Sequence, residues 1–214
     1  MVHAGRPAAV LTRGAPVSSP GAGPGHRSSA APAAPPGSAV PEAGTAGPDP
    51  LTASVPAADL VRALRTAGLT VATAESLTAG LLAATIAGVP GASNVLRGGL
   101  IVYATDLKHT LAGVTPHTLA TDGPVAPATA EQLAVGARNV CGADWGVGLT
   151  GVAGPDPQDG QPVGTVYLGF AGPEGTEVIR LKLPGDRWTI RLETVRAAVT
   201  ELIRTLGSRP LTDV

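Results

Sequence analysis

From Pro56 onward, short apolar runs alternate with longer stretches of helical periodicity, and this alternation limits the fold more than any other feature. "LTVATAE" (69–75), "GGLIVYA" (98–104) and "DWGVGLTG" (144–151) have the length and composition of strands buried on both faces. "VGTVYLGFAG" and "TEVIRLKLPG" flank a "PEG" turn and read as a hairpin. Helical segments lie between these strands. "PAADLVRALRTAG" carries Leu60, Val61 and Leu64 on one face and stops at Gly68. "SLTAGLLAATIAG", "TDLKHTLAG" and a short turn opening at Pro116 follow. "APATAEQLAVGARNVCG" is a longer helix. "DRWTIRLETVRAAVTELIRTLG" ends the series, with Ile190, Val195, Val199, Leu202, Ile203 and Leu206 on the core side. Helices alternating with apolar strands require a sheet covered on both faces, and the hairpin makes that sheet mixed. The expectation is an α/β fold: one three-layer α/β/α domain over residues 55–208.

Residues 1–52 do not share this pattern. They are Ala, Pro, Gly and Ser with almost no large apolar side chains, which is too little burial to offset ordering entropy. A disordered tail is expected there, without the apolar region of a secretory signal. The 214 residues carry a net charge of -1, so no charge footprint for nucleic acid or an anionic membrane is present. No apolar run is long enough to span a bilayer. A single cysteine, Cys141, excludes an internal disulfide and a zinc-type cluster, and it reads as a small buried apolar residue. The basic residues are thirteen arginines and two lysines, Lys108 and Lys182. A lysine in such a chain can mark a place where arginine would not serve.

Ligands of open α/β sheets collect where strands end and helices begin. Three strand exits carry unusual residues: "AESLTAG", "YATDLKHTL" and "TGVAGPDPQDGQPVGT". At the first, Ser76 is either the N-cap of the next helix or, if Thr78 caps it, a free nucleophile beside helix N–H groups that could hold an oxyanion. At the second, Lys108 is either a solvated helix residue or a base. Its place in the first turns of a helix, against the dipole, and burial against Tyr103 would both lower its pKa from the usual value of about 10.4. A Ser–His–Asp triad is possible on paper from His109 or His117 with Asp106 or Asp122, but both histidines lie in polar, surface-like turns. The third exit is rich in glycine (Gly146, Gly148, Gly151, Gly154, Gly160, Gly164) yet has neither a P-loop nor a dinucleotide fingerprint. Its glycines would let a ligand approach the backbone. Arg187 and Arg191, four apart on the last helix, could together clamp a phosphate or carboxylate, or else pair with Glu193 or with solvent.

The segments "TAESLTAG", "GGLIVYATDLKHTLAGV", "TGVAGPD…QPVGTV" and "GDRWTIR" resemble, in order and spacing, the CinA C-terminal domain family, which includes nicotinamide-nucleotide amidases. The resemblance runs from about Val55 to Leu206. It implies hydrolysis of the carboxamide of nicotinamide mononucleotide to nicotinate mononucleotide and ammonia, with no metal and no cofactor. Carried over by motif, Ser76 is the nucleophile, Lys108 its general base and Tyr103 a supporting hydroxyl. Thr78, Thr150, Gly151, Gln161, Arg187 and Arg191 are the implied substrate-binding positions. The expected partner is a small-molecule nucleotide substrate, not nucleic acid or a membrane, for a cytoplasmic homo-oligomer. The alternative is a non-catalytic nucleotide-binding or interaction module of the competence and damage-inducible type. The chain departs from the family pattern at Thr105, Pro124, Ala126, Pro157 and Gln161.

Overall fold

The computed structural model describes residues 49–207. Most of the expected tail therefore lies outside the described residues. Asp49–Thr52, the end of that segment, form part of a turn instead. The Asp49 carboxylate accepts from Leu51 N–H at 2.8 Å, the Asp49 carbonyl accepts from Thr52 and Ala53, and Leu51 packs against the core. The ordered part thus starts before Val55, because the Asp49 side chain and carbonyl satisfy the backbone of a turn rich in small residues.

The elements in chain order are α1 (Ala57–Ala67), β1 (Val71–Glu75), α2 (Leu81–Ala87), a 3₁₀ turn (Ala92–Asn94), β2 (Leu96–Ile101) and α3 (Thr105–Thr110). There follow α4 (Pro116–Thr121), α5 (Pro127–Cys141), β3 (Trp145–Gly151), β4 (Thr165–Gly172), β5 (Gly175–Lys182) and α6 (Arg187–Gly207). The sheet order is β2-β1-β3-β4-β5. β1 lies parallel to both β2 and β3, and the β4–β5 hairpin adds two antiparallel strands beyond β3. The mixed α/β sheet expected from the sequence is therefore present.

Strand periodicity divides the core. Val71 of β1 and Val147 and Leu149 of β3 join Leu60, Leu64, Leu82, Ile86, Ile190, Val195 and Leu202 from α1, α2 and α6. Ala72 and Ala74 join Leu133 and Ala137 of α5 on the opposite face. α5 lies very close to the sheet. A side chain on Gly146 would collide with the Ala134 carbonyl, and one on Gly148 or Gly169 with the Ala130 carbonyl. Gly146 and Gly148 therefore serve helix packing, not the ligand approach read for them from the sequence.

Three further expectations are corrected. β2 is not buried on both faces: it is an edge strand with alternating exposure, and Ile101, its last residue and the partner of Glu75, is largely exposed. An edge strand has a neighbour on one side only, which apolar composition does not reveal. Cys141, the last residue of α5, is half-buried. The helix read from Ser76 starts only at Leu81, after a turn in which Ala79 and Gly80 both take positive φ, 51° and 93°. Among the described residues no helix is long and apolar enough to cross a membrane.

Candidate active site

β1, β2 and β3 run parallel, so their carboxyl ends lie on one edge of the sheet. α2 and α5 cover opposite faces, which makes β1 the point where the chain reverses its direction across the sheet. A cleft of about 510 Å³, its open mouth included, sits at these strand ends. Its walls come from all three exits: Ser76 and Leu77 after β1, Tyr103 and Lys108 after β2, and Gly151–Gly154 with Asp156 and Gln158 after β3. Pro124 and Val125 close one side and Arg187 the mouth.

Ser76 and Lys108, 32 residues apart, meet at the cleft floor. Lys108 Nζ lies 3.0 Å from Ser76 Oγ, 2.9 Å from the Val102 carbonyl and 3.2 Å from the Tyr103 carbonyl. Ser76 is 8% exposed and Lys108 only 2%. Burial removes water from the ammonium and lowers the Lys108 pKa from 10.5 to about 8, opposed in part by the negative charge of Asp159. The helix dipole is not the cause. Lys108 sits in the last turn of the six-residue α3, away from its positive end. A neutral lysine has two N–H donors and one lone pair. Two carbonyls are placed to take the donors, and the lone pair is left for the Ser76 hydroxyl.

Ser76 caps no helix. Its own N–H donates to the Leu149 carbonyl at 2.9 Å, extending the β1–β3 ladder by one residue. The N-terminus of α2 is capped by Glu75, a residue the sequence reading passed over. This fully buried carboxylate accepts from Gly80 N–H and Leu82 N–H at Oε2 (3.0 Å each), and from Ala83 N–H (2.8 Å) and Thr73 Oγ1 (3.1 Å) at Oε1. An acid as the last residue of an apolar strand was the available signal. A buried carboxylate needs donors, and a helix start supplies them.

The turn after Ser76 has few N–H groups to spare. Ala79 N–H donates to the Ser76 carbonyl and Leu81 N–H to the Thr78 carbonyl, and Glu75 takes Gly80, Leu82 and Ala83. Among the described residues this leaves Leu77 N–H and Thr78 N–H without an acceptor. They are the two peptide groups that follow Ser76 in the chain.

The remaining expected site residues divide into two groups. Tyr103, Gly151 and Arg187 line the cleft. Arg187 donates to the Tyr103 hydroxyl at 2.6 Å and to the Gly154 carbonyl at 2.7 Å, so it ties together the loops after β2 and β3. The Tyr103 hydroxyl is thereby turned to Arg187, and it is the Tyr103 carbonyl that meets Lys108. Thr78, Thr150, Gln161 and Arg191 are not in the wall. Thr78 is fully buried, with Oγ1 unpaired among the described residues. Thr150 donates to the Pro124 carbonyl at 2.6 Å and so braces the wall from behind. Gln161 pairs through its backbone with Gln158, and it is Gln158 that reaches the cleft. Arg191 donates to the Leu77 and Thr78 carbonyls at 3.0 and 2.9 Å, so it does not form a clamp with Arg187. Helical spacing gave its face correctly, but not its partners. Neither histidine lines the cleft. His109 Nδ1 meets the Val114 carbonyl at 2.8 Å and His117 is exposed on α4, so geometry removes the Ser–His–Asp triad.

The sequence profile of the CinA C-terminal domain matches residues 53–206. The chain belongs to the CinA C-terminal domain family. A CinA-like protein of Frankia casuarinae is 47% identical over 141 residues, 66% of this chain and 33% of that protein. A competence-damage inducible protein of a Geobacillus species is 44% identical over 149 residues, 69% of this chain and 36% of its own length. The chain thus spans about a third of the curated relatives it matches. Among solved structures, a CinA superfamily protein from Klebsiella pneumoniae superposes with a TM-score of 0.70 at 28% identity, covering 72% of this chain and 96% of that one. The competence/damage inducible protein CihA from Agrobacterium tumefaciens gives 0.66 at 36% identity, covering 71% and 96%. The shared fold therefore takes in nearly all of those solved chains and most of the described part of this one.

Proposed function

We propose that this CinA domain is an amidase that hydrolyses the carboxamide of nicotinamide mononucleotide, with Ser76 as nucleophile and Lys108 as general base. The observation that carries the reading is the buried Lys108 Nζ at 3.0 Å from Ser76 Oγ. A serine hydroxyl becomes a nucleophile when a neutral base can take its proton, and burial keeps this lysine closer to neutrality than a solvated one.

The chemistry balances within the cleft. Ser76 Oγ bonds to the carboxamide carbon as its proton moves to Lys108 Nζ. The carbonyl oxygen becomes an oxyanion, for which Leu77 N–H, from a residue in the cleft wall, is the available donor. The C–N bond then breaks, and the departing amine takes the proton from Lys108 and leaves as ammonia. A water gives a proton to Lys108 and attacks the acyl-serine. Ser76 Oγ leaves and recovers that proton, which yields the carboxylic acid. The cleft charges suit both ends of the nucleotide. Asp156 in the wall, and Asp159 close enough to act on Lys108, face a pyridinium cation favourably, while the Arg187 guanidinium at the mouth suits a phosphate.

The test is ammonia release from nicotinamide mononucleotide by wild type and by Ser76→Ala. Loss of a covalent nucleophile should cost roughly a thousandfold or more in kcat with the fold intact. A variant that keeps more than about a tenth of the rate would remove Ser76 from that role. A second reading, a non-catalytic nucleotide-binding or interaction module, draws support from the competence-damage names of the relatives and from Pro124, Ala126 and Pro157 in the loops. Nucleotide binding without ammonia release would favour it.

A further inference from the structure

We propose that the loop over residues 154–161 reads the charge of the substrate ring: Asp156 and Asp159 are specificity-determining residues that hold a cationic carboxamide ring and let go of one whose net charge is zero. This rests on the amidase reading above. Three charged residues line the cleft: Lys108 on its floor, Asp156 in its wall and Arg187 at its mouth. Lys108 is neutral whenever it is ready to act as a base, so the floor then carries no cation. Arg187 donates to the Tyr103 hydroxyl and the Gly154 carbonyl and forms no ion pair with Asp156. Asp159 follows Gln158 of the wall and is near enough for its charge to act on Lys108. Apart from Arg187, the fixed charges that a bound ring meets are therefore negative.

The loop fixes Asp159 in a defined turn. Gln158 N–H donates to the Gln161 carbonyl at 3.1 Å, and Gln161 N–H to the Gln158 carbonyl at 2.8 Å. Between them Asp159 and Gly160 both take positive φ, 50° and 74°. Asp-Gly favours such a two-residue turn, and so does Asn-Gly. Asp159 could therefore be present for the turn alone. That account leaves out Asp156, which lies in the cleft wall outside the turn. It also leaves both carboxylates without a structural task. Asp49, Asp144 and Asp186 accept backbone N–H groups, whereas neither Asp156 nor Asp159 joins a hydrogen bond or an ion pair among the described residues. The oxidised ring of nicotinamide mononucleotide carries one positive charge, and its dihydropyridine form carries none. Hydrolysis turns the neutral carboxamide into a carboxylate, which cancels the ring charge. The same two carboxylates thus separate the substrate from its reduced form and from its own product, and their hold weakens as the reaction completes.

The experiment measures binding in the full chain carrying Ser76→Ala, so that nothing turns over. Three ligands are titrated calorimetrically: nicotinamide mononucleotide, its reduced form and nicotinate mononucleotide. All three carry the same phosphate, so the contribution of Arg187 cancels in their ratios. The same titrations are run after adding Asp156→Asn, Asp159→Asn or both. Asparagine keeps the shape of each side chain and suits the turn at 159, so the change is one of charge. The working pH is 9, where Lys108 is mostly neutral and the effect of Asp159 on the base drops out. An exposed charge pair contributes a factor of about two to five. The oxidised nucleotide should therefore bind about tenfold more tightly than either neutral-ring ligand, each single substitution should lower that ratio about threefold, and the double substitution should bring it near one. Salt should shrink the ratio in the Ser76→Ala parent and leave it unchanged in the double variant. Equal ratios in all four proteins would overturn the proposal, even with ammonia release intact in wild type. A loss of affinity common to all three ligands would also overturn it and make 154–161 a purely structural loop. If the ratios behave as expected but wild type releases no ammonia, the amidase reading alone falls. Binding of none of the three would remove both.

Discussion

If buried Lys108 is the base, the rate should follow its neutral form. With a pKa of about 8, roughly a tenth of Lys108 is neutral at pH 7, half at pH 8 and about nine-tenths at pH 9. At the ordinary value of 10.5 the neutral fraction at pH 7 would be about 0.0003, so burial enlarges the reactive population some 300-fold. The direction follows from the sign of the charge. A base must be unprotonated, so kcat/KM should rise about tenfold per pH unit below pH 8 and level off above it. Asp159 acts the other way, since its negative charge favours the ammonium form. Asp159→Asn should therefore move the limb to lower pH and raise the rate at pH 6–7. Lys108→Arg is the decisive variant. Arginine keeps the positive charge but cannot give up its proton near neutrality, so it should lose at least about 100-fold in kcat, nearly as much as Lys108→Ala. The assay is ammonia release over pH 5.5–9.5 with the nucleotide at several concentrations. A flat profile across this range, or Lys108→Arg that keeps most of kcat and changes mainly KM, would refute the argument and make Lys108 a binding cation.

Three further outcomes are expected. Glu75→Gln replaces two acceptor oxygens by one and turns an amide N–H₂ toward backbone donors. It should lower unfolding free energy by about 3 kcal/mol in urea titrations, and a loss below about 0.5 would mean that the cap carries little stability. Gly146→Ala sets a methyl group against the Ala134 carbonyl and should cost about 3 kcal/mol or more, read in the same titration; a neutral result would show that α5 can lift off the sheet freely. Removal of residues 1–48 should leave the melting temperature within about 2 °C, whereas Asp49→Ala in the full chain should lower it by several degrees, because Asp49 holds the turn that seats Leu51.

Much of the architecture was legible because it depends on local periodicity. α1 ends at Gly68 in the left-handed conformation, α5 ends at Gly142 likewise, and the β4–β5 hairpin turns at Pro173–Glu174 as the turn residues required. The core side of α6 was also readable, since Ile190, Val195, Val199 and Leu202 repeat at helical spacing and are buried. Local signals failed where a neighbour decides the outcome. The run at β2 has the composition of a buried strand, but only the strand order shows that it is an edge. α2 begins at Leu81 and not at Ser76 because the Glu75 carboxylate takes the N–H groups of Gly80, Leu82 and Ala83, which a run of small helix formers does not reveal.

The candidate site divides along the same line. Sequence alone named Ser76 and Lys108 as residues out of keeping with their surroundings, and it put three strand exits on one edge of a sheet. The distance and the extent of the desolvation it could not supply, because both arise from segments 32 residues apart brought together across β1 and β2. Of the two causes it offered for a low lysine pKa, burial is the one at work; the helix dipole is not, because Lys108 lies in the last turn of α3. It also paired Arg187 with Arg191 by spacing. The fold sends the first to the cleft mouth and the second to the turn behind the serine, because a long guanidinium goes to whichever acceptors lie within its reach, and only packing determines which those are.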